Sequence, residues 1–225
     1  MSNIARRAYQ RKLAAKSAGH MDTQRRPLSS QYELMTAALY DMKQTLKNIQ
    51  SVQAKVEKKR ELLPQFDDYI AGVLEADSGA QDDVLMTCMV YRFDIGDLAG
   101  GLDIGEYALR HGLQTPDHYQ RQTAPLIAEQ VADESLAMLN SEEETDTAGL
   151  LRNAIRAEEL TREADMHDQI RAKLHKAIGY AQRELENPEH ALRWLRSALQ
   201  LNDRAGVKKD IEQLERQVAK ETGNG

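Results

Sequence analysis

Acidic residues that stand close together are the first candidates for chemistry in this sequence. They form the groups Asp67-Asp68, Asp82-Asp83, and Asp94, Asp97 and Asp103. A metal-dependent nuclease uses carboxylates that converge on one or two Mg²⁺ ions, usually with a lysine nearby. Asp82 and Asp94, however, stand at an expected helix start and an expected turn, where carboxylates commonly bind backbone N–H groups. We therefore predict structural roles for these residues and assign no catalytic residue.

The closest match to a nuclease-type Glu-x-Lys motif is Glu57-Lys58-Lys59, with Asp41 upstream. Both parts lie on one predicted helix, whereas this motif normally lies on a strand. Asp41 and Glu57 are sixteen residues apart, which is about 24 Å along a helix axis. Two carboxylates that far apart cannot share a metal ion within one chain.

The sequence lacks the other common motifs for catalysis or cofactor binding. It has no Gly-x-x-x-x-Gly-Lys-Ser/Thr loop for nucleotide phosphates. Cys88 lies in an apolar run, so we expect a buried thiol rather than a nucleophile. The histidines show no metal-ligand spacing; they are His20, His111, His118, His167, His175 and His190. We therefore expect no metal site and no cofactor.

The elements that position these side chains are predicted to be α-helices. Ala, Leu, Glu and Gln, which favour helices, make up 90 of the 225 residues. Only 11 residues are aromatic, and the alternating Val, Ile and Thr runs that strands require do not occur. We predict an all-α fold, in which a long N-terminal coiled-coil-like helix precedes a body of helical hairpins.

A long helix is predicted from Ser30 to Leu63, next to Pro64. Its apolar residues recur with the seven-residue spacing of a coiled coil. The predicted oligomerisation seam consists of Met35, Leu39, Met42, Leu46, Ile49, Val56 and Leu63. A plain amphipathic helix that packs on its own domain would show similar spacing, so both interpretations stay open.

Basic residues crowd the end of this predicted helix, at Lys55, Lys58, Lys59 and Arg60. Cations in the last turns of a helix interact favourably with its dipole. The same cations could contact DNA phosphates. We favour the structural role and keep Lys58, Lys59 and Arg60 as candidate DNA contacts.

Shorter helices are predicted for the rest of the chain. Asp82 is expected to cap a helix over Val84–Tyr91, Gly112 to close a helix over Leu98–His111, and Asn187-Pro188 to start another. The predicted organisation is a flexible basic arm at 1–29, the oligomerisation helix at 30–64, a helical-hairpin domain at 65–140, an acidic linker at 141–148, a second helical-hairpin domain at 149–220 and a tail at 221–225.

Two predicted hairpins resemble tetratricopeptide units, because some of their residues fall at the spacing of that repeat's small positions. These residues are Gly101, Gly105 and Ala108 in the earlier hairpin, and Gly179, Ala191, Leu195 and Ala198 in the later one. Two units are fewer than a free-standing solenoid needs, so we expect the hairpins to pack on other helices.

The net charge of −6 is distributed asymmetrically. Residues 1–28 carry +6, whereas the rest of the chain carries −12. A basic arm on an acidic body indicates a polyanionic partner, although a solvated tail without a specific partner would have the same composition. The candidate DNA contacts in the arm are Arg6, Arg7, Arg11, Lys12, Lys16, Arg25 and Arg26. The longest nearly apolar run, Val84–Tyr91, is too short to span a bilayer, so we expect no membrane partner.

Five segments, in order and at matching intervals, resemble the small terminase subunit of Peduovirus-type tailed bacteriophages. They are KKRELLP at 58–64, GAQDDVLMT at 79–87, DIGDLAGGLD at 94–103, RAKLHK at 171–176 and AGVKK at 205–209. The resemblance extends from about Tyr32 to Glu215 and does not include residues 1–28.

The resemblance implies a role in packaging viral DNA in the host bacterial cytoplasm. A subunit of this kind recognises the cohesive-end site of double-stranded phage DNA and forms a homo-oligomer, commonly a ring. It delivers the DNA to a large subunit that carries the ATPase. The family is also labelled an endonuclease subunit, which we interpret as a property of the complex. Two other hypotheses stay open: a Mg²⁺-dependent endonuclease that nicks the site itself, and a helical protein-interaction scaffold.

Overall fold

The computed structural model describes residues 30–116, 122–142 and 144–222. These residues form α-helices and one short 3-10 helix and include no strand, so the predicted all-α class is confirmed. The helices are α1 Ser30–Lys47, α2 Val52–Leu62, the 3-10 helix Leu63–Phe66, α3 Asp67–Ala76, α4 Asp83–Asp94, α5 Leu98–His111, α6 Thr123–Leu139, α7 Thr147–Thr161, α8 Asp168–Glu184, α9 Pro188–Leu201 and α10 Lys208–Thr222. None of these helices combines the length and the apolar character needed to cross a membrane.

The chain divides into two compact units, residues 1–123 and residues 124–225. This division differs from the predicted one, which placed the boundary at the acidic linker 141–148. Helix α6 belongs almost entirely to the second unit, where Asp133 on α6 forms an ion pair with Lys173 on α8, with 2.9 Å between Oδ1 and Nζ. The acidic segment therefore connects two helices within one unit.

The single long helix predicted for residues 30–64 is two α-helices and a 3-10 helix in the structure. Helix α1 ends at Lys47, and the N–H of Ile49 donates to the carbonyl of Leu46 in a tightened last turn (3.2 Å). Helix α2 begins anew, because the Ser51 hydroxyl caps it by accepting from the N–H of Ala54 (3.2 Å). A continuous coiled-coil helix is therefore not formed here.

The first four residues of the predicted seam are buried within the chain itself. Met35, Leu39, Met42 and Leu46 are each at most 8% exposed, and α1 packs against α4. Leu63 is also buried, whereas Ile49 and Val56 are half-buried. This burial supports the amphipathic-helix interpretation for α1. An oligomer contact through these residues stays a prediction.

Helices α4 and α5 pack on each other as a hairpin in the first unit. The predicted signals at its ends are confirmed: Asp82 caps α4, and Gly112, in the left-handed region with φ of 66°, closes α5. Glycine also allows close approach within the hairpin, because a Cβ at Gly101 would lie 2.4 Å from the ring of Phe93.

Helices α8, α9 and α10 pack on one another in the second unit. Pro188 begins α9 directly after Asn187, as predicted. One apolar cluster joins α9 to α10 and consists of Ala191, Leu192, Leu195, Val207, Ile211 and Leu214. The hairpins predicted from the sequence are thus present, while their likeness to tetratricopeptide units remains a prediction based on spacing.

Replacement of Gly179 by valine is expected to destabilise the second unit by about 2 kcal/mol, because added bulk in a packed core forces side chains and backbone apart. A Cβ at Gly179 would lie 2.5 Å from Cδ2 of Leu195 and 3.3 Å from its backbone nitrogen. Helix propensity alone would favour the replacement of glycine, so a loss must come from packing. Urea unfolding followed by circular dichroism measures it, and Gly179→Val should cost less in a Leu195→Ala background than in the unchanged chain if this contact is the cause of the loss.

Candidate nucleic-acid interface

The acidic residues singled out in the sequence form structural contacts within the first unit. The Asp82 side chain is fully buried and accepts hydrogen bonds from the N–H groups of Val84 and Leu85, both at 3.0 Å. It also accepts from the hydroxyl of Tyr69. The neighbouring Asp83 is exposed. The two side chains of the pair therefore lie in different environments and do not form a common metal-binding site.

Asp67 and Asp97 meet at the guanidinium group of Arg92. Asp67 Oδ1 lies 2.7 Å from Arg92 Nη2, and Asp97 forms an ion pair with Arg92 Nη1. Asp97 also caps α5 by accepting from the N–H of Gly100 at 2.9 Å. Burial raises the pKa of Asp67 above its ordinary value, an effect that the charge of Arg92 opposes. An arginine at this point neutralises the carboxylates that a metal ion would need.

Among the residues that the structure describes, no group of three or more His, Cys, Asp or Glu side chains could hold a metal ion. Glu57 of the Glu-x-Lys match faces Gln53, whose amide donates to it at 3.4 Å. Cys88 is buried, and burial strongly raises the pKa of its thiol. A thiol in that environment is a poor nucleophile.

The three candidate DNA contacts at the end of α2 bind groups of their own unit. Lys59 forms an ion pair with Asp94 and lies 4.6 Å above the ring of Tyr91. Arg60 donates to the carbonyl of Ile95 at 3.1 Å, and Lys58 forms an ion pair with Glu61. Lys59 and Arg60 thus fasten α2 to the C-terminal end of α4, which supports the structural role.

The described histidines either contact different partners or are exposed. His111 Nε2 lies 2.8 Å from the carboxylate of Asp77, and its ring packs against Tyr107. His175 Nδ1 lies 2.9 Å from the hydroxyl of Ser197, and burial lowers the pKa of this histidine. His167 and His190 are exposed. The remaining two, His20 and His118, fall outside the described ranges.

The basic arm carries most of the predicted DNA contacts, and all of it lies outside the described residues. This applies to Arg6, Arg7, Arg11, Lys12, Lys16, Arg25 and Arg26. Their assignment continues to depend on charge alone.

A basic cleft in the second unit did not emerge from the sequence as a site. It brings Lys173 and Lys176 of α8 next to Arg204, which precedes α10. The segments at 171–176 and 205–209 had been singled out for resemblance, but nothing in the sequence indicated that they adjoin the same cleft. Of the segment 205–209 only Ala205 lines the cleft, so the lysines of that segment gave no signal for it.

Comparison with known proteins identifies relatives over most of the chain. The profile of the phage small terminase subunit family matches residues 36–169. The chain is 45% identical over 187 residues to the terminase endonuclease subunit of Escherichia phage P2, covering 83% of this chain and 74% of that protein. It is 25% identical over 198 residues to the probable terminase endonuclease subunit of Haemophilus phage HP1 (strain HP1c1), covering 80% and 68%. No solved structure shows a significant match.

Proposed function

Since the chain belongs to the family of phage small terminase subunits, we propose that it is the DNA-recognition and adaptor subunit of a packaging terminase. In this role it binds the cohesive-end site of viral double-stranded DNA in the host bacterial cytoplasm. It then delivers the DNA to the large ATPase subunit for cutting and packaging. The observation that carries the proposal is the 45% identity over 83% of the chain to a terminase subunit.

The charge distribution supports DNA binding by the N-terminal arm. Residues 1–28 carry +6 on a chain whose remainder carries −12. Cations that neutralise phosphates release counterions and give affinity without sequence preference. An acidic body restricts such binding to the arm and to local basic sites. Recognition of the cohesive-end site then requires base contacts or the shape of the DNA as well.

The proposal includes a homo-oligomer in the form of a ring. An oligomer joins several weakly binding arms and raises their effective concentration on one DNA molecule. The heptad-like spacing of α1 and α2 supports a coiled-coil contact, although four of its residues are covered within the unit. On α1, the large apolar side chains left exposed are Leu34 and Tyr40, at 56% and 62%.

The proposed function is tested with the full chain and two duplexes of equal length, one with the cohesive-end site and one with its sequence scrambled. We expect tighter binding of the first duplex by fluorescence anisotropy. Light scattering should give the mass of several subunits, with and without DNA. Equal affinity for the two duplexes, together with a monomeric mass, would remove both recognition and the ring from the proposal.

The alternative in which this chain cuts the DNA itself is tested on the same duplex with Mg²⁺ and no large subunit. We expect no cleavage. The variant for this test is Asp83→Asn, because Asp83 is exposed and its replacement leaves the buried contacts of Asp82 intact. Cleavage by the chain that Asp83→Asn abolishes would place the nuclease in this subunit.

A further inference from the structure

A cleft of about 360 Å³ opens in the second unit between α6, α8 and the segment that connects α9 to α10. Its lining is polar and basic, with two apolar side chains. The lining residues are Asp133, Leu136, Gln169, Lys173, Lys176, Asn202, Arg204 and Ala205. The volume falls at the lower end of the range for small-ligand sites.

Two of the three cations in the cleft are held in place by the protein. Lys176 Nζ donates to the carbonyl of Ala205 at 3.0 Å and lies 5.4 Å from the ring centre of Tyr180. Lys173 Nζ lies 2.9 Å from Asp133 Oδ1. An ammonium group has three donors, so one carbonyl contact leaves Lys176 with donors for a ligand. The cleft thus presents its ammonium groups in fixed positions.

The third cation, Arg204, extends from a turn with a defined backbone. The N–H of Arg204 donates to Asn202 Oδ1 at 3.0 Å, Gly206 adopts a φ of 75°, and Val207 is fully buried directly after it. The Arg204 side chain is exposed, and the structure gives its guanidinium no hydrogen bond or ion pair with another described residue. A planar guanidinium of this kind binds phosphate oxygens in pairs.

The charge of the cleft is opposite to that of the body that surrounds it. Three cations and one carboxylate line it, and a second carboxylate, Glu129, lies 3.9 Å from Lys173 Nζ. The cations therefore exceed the carboxylates by one, whereas the chain outside residues 1–28 carries −12. An anion would therefore find local attraction here that most of the surface lacks. Among the described residues that line the cleft, none is aromatic, so the walls offer no ring on which a base could stack. Leu136 and Ala205 can instead contact a sugar.

We propose that this cleft binds a phosphate group of the DNA backbone, with Arg204, Lys176 and Lys173 as its ligands. The proposal rests on the proposed function and adds to it a second DNA contact in residues 124–225, separate from the arm. Asp133 acts against binding, because its carboxylate occupies Lys173 and repels the phosphate.

The test compares Arg204→Gln and Asp133→Asn with the unchanged full chain by anisotropy on duplex DNA over a series of salt concentrations. Loss of one phosphate contact lowers the salt slope by about 0.9 and the affinity at 0.1 M salt about eightfold. We expect that loss for Arg204→Gln, and tighter binding for Asp133→Asn. The matched control is Arg193→Gln, which removes the same charge from an exposed residue of α9 that does not line the cleft. It should leave the slope unchanged.

The outcomes separate the sources of the phosphate and separate this proposal from the proposed function. Titration with inorganic phosphate and with ATP measures the binding of free phosphate compounds. If Arg204→Gln weakens that binding and leaves DNA binding unchanged, the assignment of the cleft to DNA is wrong. If the full chain binds DNA and both cleft variants behave like Arg193→Gln, the cleft proposal is wrong while the proposed function stands. If the full chain binds no DNA, the proposed function itself fails.

Discussion

Removal of residues 1–28 is expected to weaken the binding of duplex DNA at least about 100-fold at 0.1 M salt, since each cation that neutralises a phosphate contributes about 0.9 to the salt slope. The deleted segment holds seven basic residues and one acidic residue. Contact of all seven with phosphates would lower the slope by about 6 on deletion. Anisotropy from 50 to 200 mM salt measures both quantities.

The charge of the arm, rather than its length, is the cause of the expected loss. A chain in which the seven Lys and Arg residues of the arm are replaced by Gln keeps the length and removes the charge, and it should bind like the deleted chain. The exposed pair Arg193→Gln and Arg216→Gln, in the second unit, serves as the control for loss of positive charge elsewhere. An unchanged slope after deletion would show that the basic arm does not contact DNA.

The arm and the cleft around Arg204 make distinguishable contributions to the salt dependence. Deletion of residues 1–28 removes the larger part, and the slope that remains should fall by about 1 more when Arg204 is also replaced. The two effects add if the sites are independent, because contacts without shared partners are additive. A combined loss equal to that of the deletion alone would mean that the cleft contacts DNA only when the arm is present.

Local signals in the sequence predicted the ends of several helices correctly. Asp82, Gly112 and Asn187-Pro188 act through atoms within a few residues of themselves, so the sequence alone contains the information. The same kind of signal was overlooked at Ser51, whose hydroxyl caps α2. The heptad spacing continues across the break between Lys47 and Val52 and therefore suggested one helix where two exist.

Features that depend on distant parts of the chain were not predictable from spacing. The assignment of α6 to the second unit follows from packing, whereas the boundary proposed at the linker depended on its acidic composition alone. The basic residues at the end of α2 illustrate the same point. Lys59 meets Asp94, 35 residues away along the chain, and no local pattern distinguishes this pairing from a cation available to DNA.

Replacement of Asp82 by alanine is expected to destabilise the first unit by about 3 kcal/mol, the sum of a lost helix cap and of buried donors left without a partner. The carboxylate is fully buried and serves two backbone N–H groups and the hydroxyl of Tyr69. Water cannot readily replace it, because Val84, Leu85 and Tyr69 are buried as well. Urea unfolding of the full chain, followed by circular dichroism, measures the change as a lower midpoint.

Two matched variants show which contact of Asp82 causes the loss of stability. One variant removes the hydrogen bond from Tyr69, and the other removes the neighbouring charge of Asp83. Tyr69→Phe removes one donor and should lower the free energy of unfolding less than Asp82→Ala does. Asp83→Ala removes an exposed carboxylate and should change that free energy by less than about 0.5 kcal/mol. An Asp82→Ala midpoint equal to that of Asp83→Ala would contradict the structural role. The same ranking bears on the activity of the subunit. A loss of DNA cleavage caused by Asp82→Ala would follow from unfolding of the hairpin, so of these two carboxylates only Asp83, replaced in a folded Asp83→Asn variant, can report on catalysis.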